Sequence, residues 1–203
     1  MAGVARDRIS VVPADEAGWA AVAAVLESCA DSRRCWCQRF KLARGESFAG
    51  FPGEERAHRL RTQTGDGSPG ADAGTTGLVA FRGGEAVGWC GVEPRPAYGG
   101  LLRVARVPWQ GRSQDKGDPS VWAVTCFVTR PGHSRQGVAT ALAAACIDFA
   151  RAGGARALEG YPMTAPTSLL GEMHPGTLGM FTRAGFLEVS RPTPRRAVVR
   201  REL

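Results

Sequence analysis

The sequence predicts a mixed α/β fold in which helices cover both faces of a sheet. Three observations carry that expectation. The run Ser120 to Thr129 (SVWAVTCFVT) is β-branched, aromatic and apolar on both faces, so it reads as a central strand. A glycine-bearing loop follows, and then a helical pattern from about Gly137 to Ala152 that Gly153-Gly154 ends. Upstream, Leu78–Arg82 and Ala86–Val92 flank Gly83-Gly84-Glu85, the signature of a hairpin with a tight glycine turn. Elements in this order suit a sheet packed between helices.

The remaining elements follow in chain order. Arg8 to Val12 alternates as a first strand. Asp15 is expected to cap a helix whose apolar positions (Trp19, Ala20, Val22, Ala23, Val25, Leu26) recur with helical period. Asp31 to Arg44 is irregular and rich in arginine, cysteine and aromatics. Pro52 at a first turn, with Glu54 and Glu55 behind it, opens a polar helix toward Leu60. Thr64 to Thr76 is a Gly/Ser/Asp/Pro-rich loop. Arg95 to Pro119 reads as irregular, with turns at Tyr98-Gly99-Gly100 and at Asp115 to Asp118. Beyond the long helix come a strand, Ala157–Tyr161, and a Pro/Thr/Ser-rich loop through Pro175. A short helix, Thr177–Arg183, is stopped by Ala184-Gly185, and Phe186–Val189 and Ala197–Arg200 are closing strands. No internal repeat is present.

Composition bounds the function. At 203 residues, 43% hydrophobic and 22% charged, the chain has an ordinary globular make-up and suffices for one domain with a real core. The net charge of +7 favours a polyanionic partner: nucleic acid, anionic lipid or a phosphorylated cofactor. Its basic residues are scattered, with short clusters at Arg33-Arg34, Arg195-Arg196 and Arg200-Arg201. None forms a nucleic-acid arm. No apolar stretch has signal-peptide or membrane-spanning length, so a cytoplasmic protein without a membrane partner is expected. Of the six cysteines, Cys90, Cys126 and Cys146 lie inside apolar runs and read as packed thiols. Cys29, Cys35 and Cys37 lack a second Cys/His pair at zinc-ligand spacing, so they are expected to be reduced and structural, with no metal.

Chemistry concentrates at His133-Ser134-Arg135-Gln136-Gly137-Val138-Ala139, between the central strand and the long helix. The first amides of a helix lack internal partners and sit at its positive end, so they attract phosphate. Gly137 permits close backbone approach, Ala139 leaves room beside it, and Arg135 and Arg130 add charge.

The run TCFVTRPGHSRQGVATALAAACIDFARAGGARALEGYP resembles the acetyl-CoA-binding core of the GNAT superfamily of N-acetyltransferases. The family pattern Arg/Gln-x-x-Gly-x-Gly/Ala falls on Ser134 to Ala139, with Ser134 where the family usually has Arg or Gln. A second signature, a short helix ending in an aromatic, then Gly-Phe and a strand, resembles Met180 to Phe186. The resemblance implies a GNAT-like, mostly antiparallel sheet with a splayed central strand pair, in one domain over 1–203. Residues 1–119 would supply the N-terminal strand, helices, hairpin and acceptor-side segments, and 120–203 the cofactor core and closing strands. It implies acetyl-CoA, or another short acyl-CoA, as co-substrate. Ser134, Arg135, Gln136, Gly137, Val138 and Ala139 would hold the pyrophosphate. Backbone groups of Phe127, Val128 and Thr129 would line the pantetheine arm, and Phe181 and Arg183 would border the cofactor from the short helix.

The reaction so implied is acetyl transfer to a primary amine of a small molecule or peptide. Two alternatives stand beside it: an acyl-CoA-binding sensor without turnover, and an acyltransferase acting on a nucleic-acid-associated amine. A homodimer is left open. An amine of pKa about 10.4 must lose a proton before attack. Glu159 is the first choice of base and Glu93 the second, with Tyr161 and His174 bordering the acceptor pocket. Many family members place a proton-donating tyrosine where this chain has Phe181, so Tyr161 or a water would have to serve. Trp36, Phe40 and Trp109 are the candidate acceptor-side walls.

Overall fold

A computed structural model describes residues 8–65, 75–104, 106–164 and 174–203; parts of the two expected loops, 66–74 and 165–173, lie outside the described residues. Seven strands form one sheet: β1 (Ile9–Pro13), β2 (Leu78–Arg82), β3 (Glu85–Pro94), β4 (Val121–Thr129), β5 (Ala157–Gly160), β6 (Leu187–Thr193) and β7 (Arg196–Glu202), in the order β1-β2-β3-β4-β5-β7-β6. Every neighbouring pair is antiparallel except β4 and β5, which are parallel. The expected fold class is the one observed.

Helices cover both faces. On one, α6 (Val138–Ala152) buries Val138, Leu142, Ala143, Cys146 and Ile147 against Ala80, Cys90, Val124 and Leu158, and α7 (Leu178–Arg183) adds Met180 and Phe181. On the other, α2 (Trp19–Leu26) and α4 (Gly53–Gln63) bring Val22, Val25, Leu26 and Leu60 onto Val79, Trp89 and Val128. A separate cluster of Tyr98, Leu101 and Trp109 packs on Ala123, Tyr161 and Val198 farther along that face. No helix among the described residues is long and apolar enough to cross a membrane.

Three local expectations give way. Asp15 does not cap the first helix: it lies inside the four-residue α1 (Ala14–Ala17), and Gly18 at φ 78° separates that turn from α2. Within the stretch expected to be irregular, α3 (Ala30–Cys35) forms, steadied by the Ser32 hydroxyl donating to the Leu26 carbonyl at 2.6 Å. Likewise α5 (Gly99–Arg103) forms despite two glycines, because Gly100 lies against the Phe40 backbone and donates to its carbonyl at 2.8 Å. The closing strands also run longer than expected, since β6 and β7 pair with each other.

Candidate active site

The site begins at a fork in the sheet. β4 and β5 pair only over Val121–Val124 and Ala157–Gly160. At that point the β3–β4 register shifts: Val92 faces Val124 and Gly91 faces Cys126, leaving Thr125 as an extra residue on β4. Such a bulge bends its strand, and here it turns β4 away from β5 where their pairing stops. Beyond it the Phe127 N–H points into the opening and donates to the His174 carbonyl at 2.6 Å.

The far end of β4 leads into the phosphate-type loop. Gly132 and Gly137 adopt positive φ (both 87°), and so does Arg135 at 60°, a conformation that side-chain-bearing residues seldom take outside functional loops. Ser134, Arg135, Gln136 and Gly137 are exposed, while Val138 is buried. A Cβ at Gly137 would meet nothing nearer than Ile9 Cδ1 at 4.0 Å, so open space lies over the helix start. The Gln136 amide donates to the Gly132 carbonyl at 2.7 Å and accepts from Arg82, which stiffens the loop. Arg130 is tied to Glu85 at 2.7 Å and to the Ala86 carbonyl. A helix of 15 residues that starts from a glycine with open space over it is suited to a pyrophosphate.

On the opposite face from α6, the fork opens into a cavity of about 1340 Å³. Thr125, Cys126, Tyr161 and His174 line the end nearest the fork. Phe40, Leu42, Phe48, Leu101, Val104, Val107 and Pro108 give apolar walls, and Arg33, Arg34, Arg39, Arg56 and Arg196 line it, with Asp31 the one acid among the described lining residues. The structure thus places Tyr161, His174 and Phe40 at the cavity. Trp36 is instead 5% exposed, stacked on Trp19 at 5.5 Å, and Trp109 is 4% exposed with its indole N–H on the Leu101 carbonyl. Both belong to the core rather than to a wall.

Glu159 is also displaced from its expected place. Its carboxylate is fully buried and faces three guanidiniums, Arg95 at 3.2 Å, Arg112 at 2.5 Å and Arg200 at 3.0 Å, and accepts from the Tyr161 hydroxyl at 3.3 Å. It does not line the cavity. A carboxylate so enclosed has no path to an amine, and the base role does not fit it. Glu93 is ion-paired with Lys41 and is likewise absent from the lining. Burial, and then the Glu159 charge, push the Tyr161 phenol well above its ordinary value, so it keeps its proton. The His174 Nε2 is buried and has no hydrogen-bond partner among the described residues.

Phe181 is fully buried, edge-on to Phe127 at 5.6 Å and to Phe186 at 5.0 Å, and its ring occupies the space a side chain at Gly160 would need. Arg183 stands exposed on α7. The cysteines are free. Cys90 and Cys146 touch in the core at 3.3 Å, and Cys37 accepts from the Trp89 indole at 3.0 Å. The Cys126 thiol is pushed well up by its bond to Cys37 and by burial, which leaves it a poor nucleophile. Among the described residues no His/Cys/Asp/Glu group is arranged to hold a metal.

The family profile described as the Acetyltransferase (GNAT) family matches residues 22–161, from α2 to the end of the fork. The chain belongs to the acetyltransferase (GNAT) family. Its enzyme class is therefore that of the acetyltransferases, as the resemblance implied. No curated protein matches the chain. Among solved structures, yncA from Salmonella typhimurium, solved with acetyl-CoA as its cofactor, is similar at 14% identity and TM-score 0.54, covering 96% of this chain and 94% of that one. The paia N-acetyltransferase from Thermoplasma acidophilum, in complex with coenzyme A, shares 10% identity at TM-score 0.53 over 97% and 99% of the two chains. A GCN5-related N-acetyltransferase from Kribbella flavida shares 18% at TM-score 0.51 over 96% and 98%. At these identities the likeness is one of fold.

Proposed function

We propose that this GNAT acetyltransferase moves an acetyl group from acetyl-CoA directly to a primary amine seated in the arginine-lined cavity. The observation that carries the reading is the bulge at Thr125, which opens the sheet between a phosphate-type helix start and a cavity of substrate size. The amides at Gly137, Val138 and Ala139 hold the pyrophosphate, with Arg135 beside them. The pantetheine arm lies along the edge of β4 that β5 leaves beyond Val124 and takes, in the manner of an added strand, the Phe127 N–H that now bonds to the His174 carbonyl. A backbone N–H aimed at the thioester oxygen would stabilise charge as it develops.

At the cavity end, His174 Nε2 lacks a partner among the described residues and takes the proton from the attacking amine, directly or through water. The sulfur departs as a thiolate, stable near neutrality at a thiol pKa of about 8.5, and takes its proton from water, while Tyr161, still protonated, borders it without adding charge. Glu159 positions Tyr161 rather than meeting substrate. Phe181 favours a second reading, an acyl-CoA binder without turnover, since a phenyl ring there donates no proton.

A thiol-release assay with acetyl-CoA over a panel of primary amines, joined to acetyl-CoA titration, separates the two. Turnover is expected in the wild type, lost binding in Gly137→Trp, and retained binding with turnover reduced about a hundredfold in His174→Gln. Acetyl-CoA binding without thiol release on any amine would favour the binder, and unchanged affinity in Gly137→Trp would overturn the cofactor site.

A further inference from the structure

Among the described residues, the cavity carries more positive charge than its acids neutralise. Arg56, on α4, is 8% exposed, yet its guanidinium meets only the Phe51 and Arg34 carbonyls and the Phe48 ring, 3.8 Å away. Among the described residues it has no carboxylate partner. Arg33 and Arg39, on the same wall, have none among them either, and Arg34 uses the one acid among the described lining residues, Asp31, at 3.0 Å. A guanidinium taken largely out of water without a counter-charge is costly. Carbonyl oxygens orient it but do not cancel its charge. The acyl-transfer end lies elsewhere on the cavity, at Tyr161 and His174, and the phosphate loop at Gly137 does not line the cavity at all. The arginine wall is thus separate from the proposed cofactor grip.

We infer that the acceptor is an amine carrying an anionic oxygen group, a carboxylate or a phosphate, which Arg33, Arg39 and Arg56 bind while Phe40 and Phe48 cover an apolar body between the two ends. Planar guanidiniums suit both groups, since each offers paired oxygens. The cavity volume exceeds the roughly 300–1,000 Å³ of ordinary small-ligand sites, which leaves room for that body as well as for the amine. The inference rests on the acyl-transfer reading only for calling the bound molecule an acceptor; the anion site itself stands on the charges.

Calorimetric titration at low ionic strength tests it with three probes of one size: phenylacetate, phenyl phosphate and the neutral phenylacetamide. At least one anion is expected to bind about ten-fold or more tightly than the amide, and the tighter of the two tells carboxylate from phosphate. Arg33→Ala combined with Arg39→Ala, both at exposed positions, should bring the anions down to the level of the amide and leave acetyl-CoA affinity unchanged. Equal binding of all three probes, no binding of either anion, or full anion affinity in the double variant would overturn the inference. Loss of acetyl-CoA binding in a protein that still takes the anions would sink acyl transfer and leave the anion site standing. Acetyl-CoA binding without anion preference would do the reverse.

Discussion

Glu159 shows how a residue's chemistry is decided by what surrounds it. A carboxylate at a strand end beside the cofactor helix suggests a base, but three guanidiniums and a phenol occupy its oxygens, and it is fully buried. Arg95 also donates to the Lys116 and Asp115 carbonyls, so the cluster ties the segment before β4 to the floor of the fork. Replacing the charge leaves buried cations uncompensated, which costs more than the interaction itself is worth. Glu159→Gln is therefore expected to lower unfolding free energy by about 3 kcal/mol, measured by urea denaturation, while acetyl-CoA affinity is kept. A variant of wild-type stability whose turnover alone is abolished would return Glu159 to the role of base. Nothing in the sequence signals this enclosure, because Arg95, Arg112 and Arg200 are distant in the chain and only topology brings them to one carboxylate. Tyr161 and His174 could be singled out in the sequence because they stand on either side of one Pro/Thr/Ser-rich loop after the strand that follows the long helix. Arg56 could not, since a polar helix gives no hint of which arginine turns inward.

Elements with strong local patterns were legible, and those shaped by their neighbours were not. β4 and α6 announce themselves through a continuous β-branched run and a helical apolar stripe closed by paired glycines. By contrast, α5 contains two glycines that oppose helix formation, and it forms because Phe40 leaves no room for a side chain at Gly100. The bulge at Thr125 is invisible in sequence for a similar reason: it is a property of the register between two strands. Close approach also sets the position of α6. A methyl group on Gly88 of β3 would overlap Val138 Cγ1 and come within 3.1 Å of Leu142 Cδ1, so glycine lets the first turn of α6 sit directly on the sheet. Gly88→Ala should lift that turn, lowering stability by about 1–3 kcal/mol and weakening acetyl-CoA binding as the amides at Gly137 to Ala139 shift. Thermal denaturation and titration together check this; a stable variant with unchanged cofactor affinity would show that α6 is positioned by something else.

Taken whole, the sheet consists of two wings, β1 to β4 and β5-β7-β6, joined by a short parallel seam and spanned by α6. Opening the fork at one end requires that the other end stay closed. Arg156 closes it. Arg156, just before β5, donates through its backbone to the Ser120 carbonyl at 2.8 Å, across the seam to the segment that leads into β4. Its guanidinium reaches Asp118 at 2.7 Å, while the Ser120 amide and hydroxyl donate to the same carboxylate at 2.9 and 2.6 Å. The Ser120 and Arg156 bonds hold the Asp118 carboxyl well below the usual carboxylate range. A depressed folded-state value gives stability that is fully present above the unfolded value of about 3.9 and is lost as pH falls through the folded one. Wild type and Asp118→Asn should accordingly differ in Tm by a constant gap between about pH 5 and 7, and the gap should shrink steadily below about pH 4, where the unfolded wild-type chain takes up a proton at Asp118 that the folded protein does not. Because the clip acts on the seam, amide exchange in the variant at neutral pH should quicken in β5 and at the start of β4, and leave β2 and the bulk of β3 unchanged. A Tm gap as wide at pH 2.5 as at pH 7, or exchange quickened evenly across both wings, would mean that the seam is held by the core alone and that the clip plays no part in keeping the fork's closed end shut.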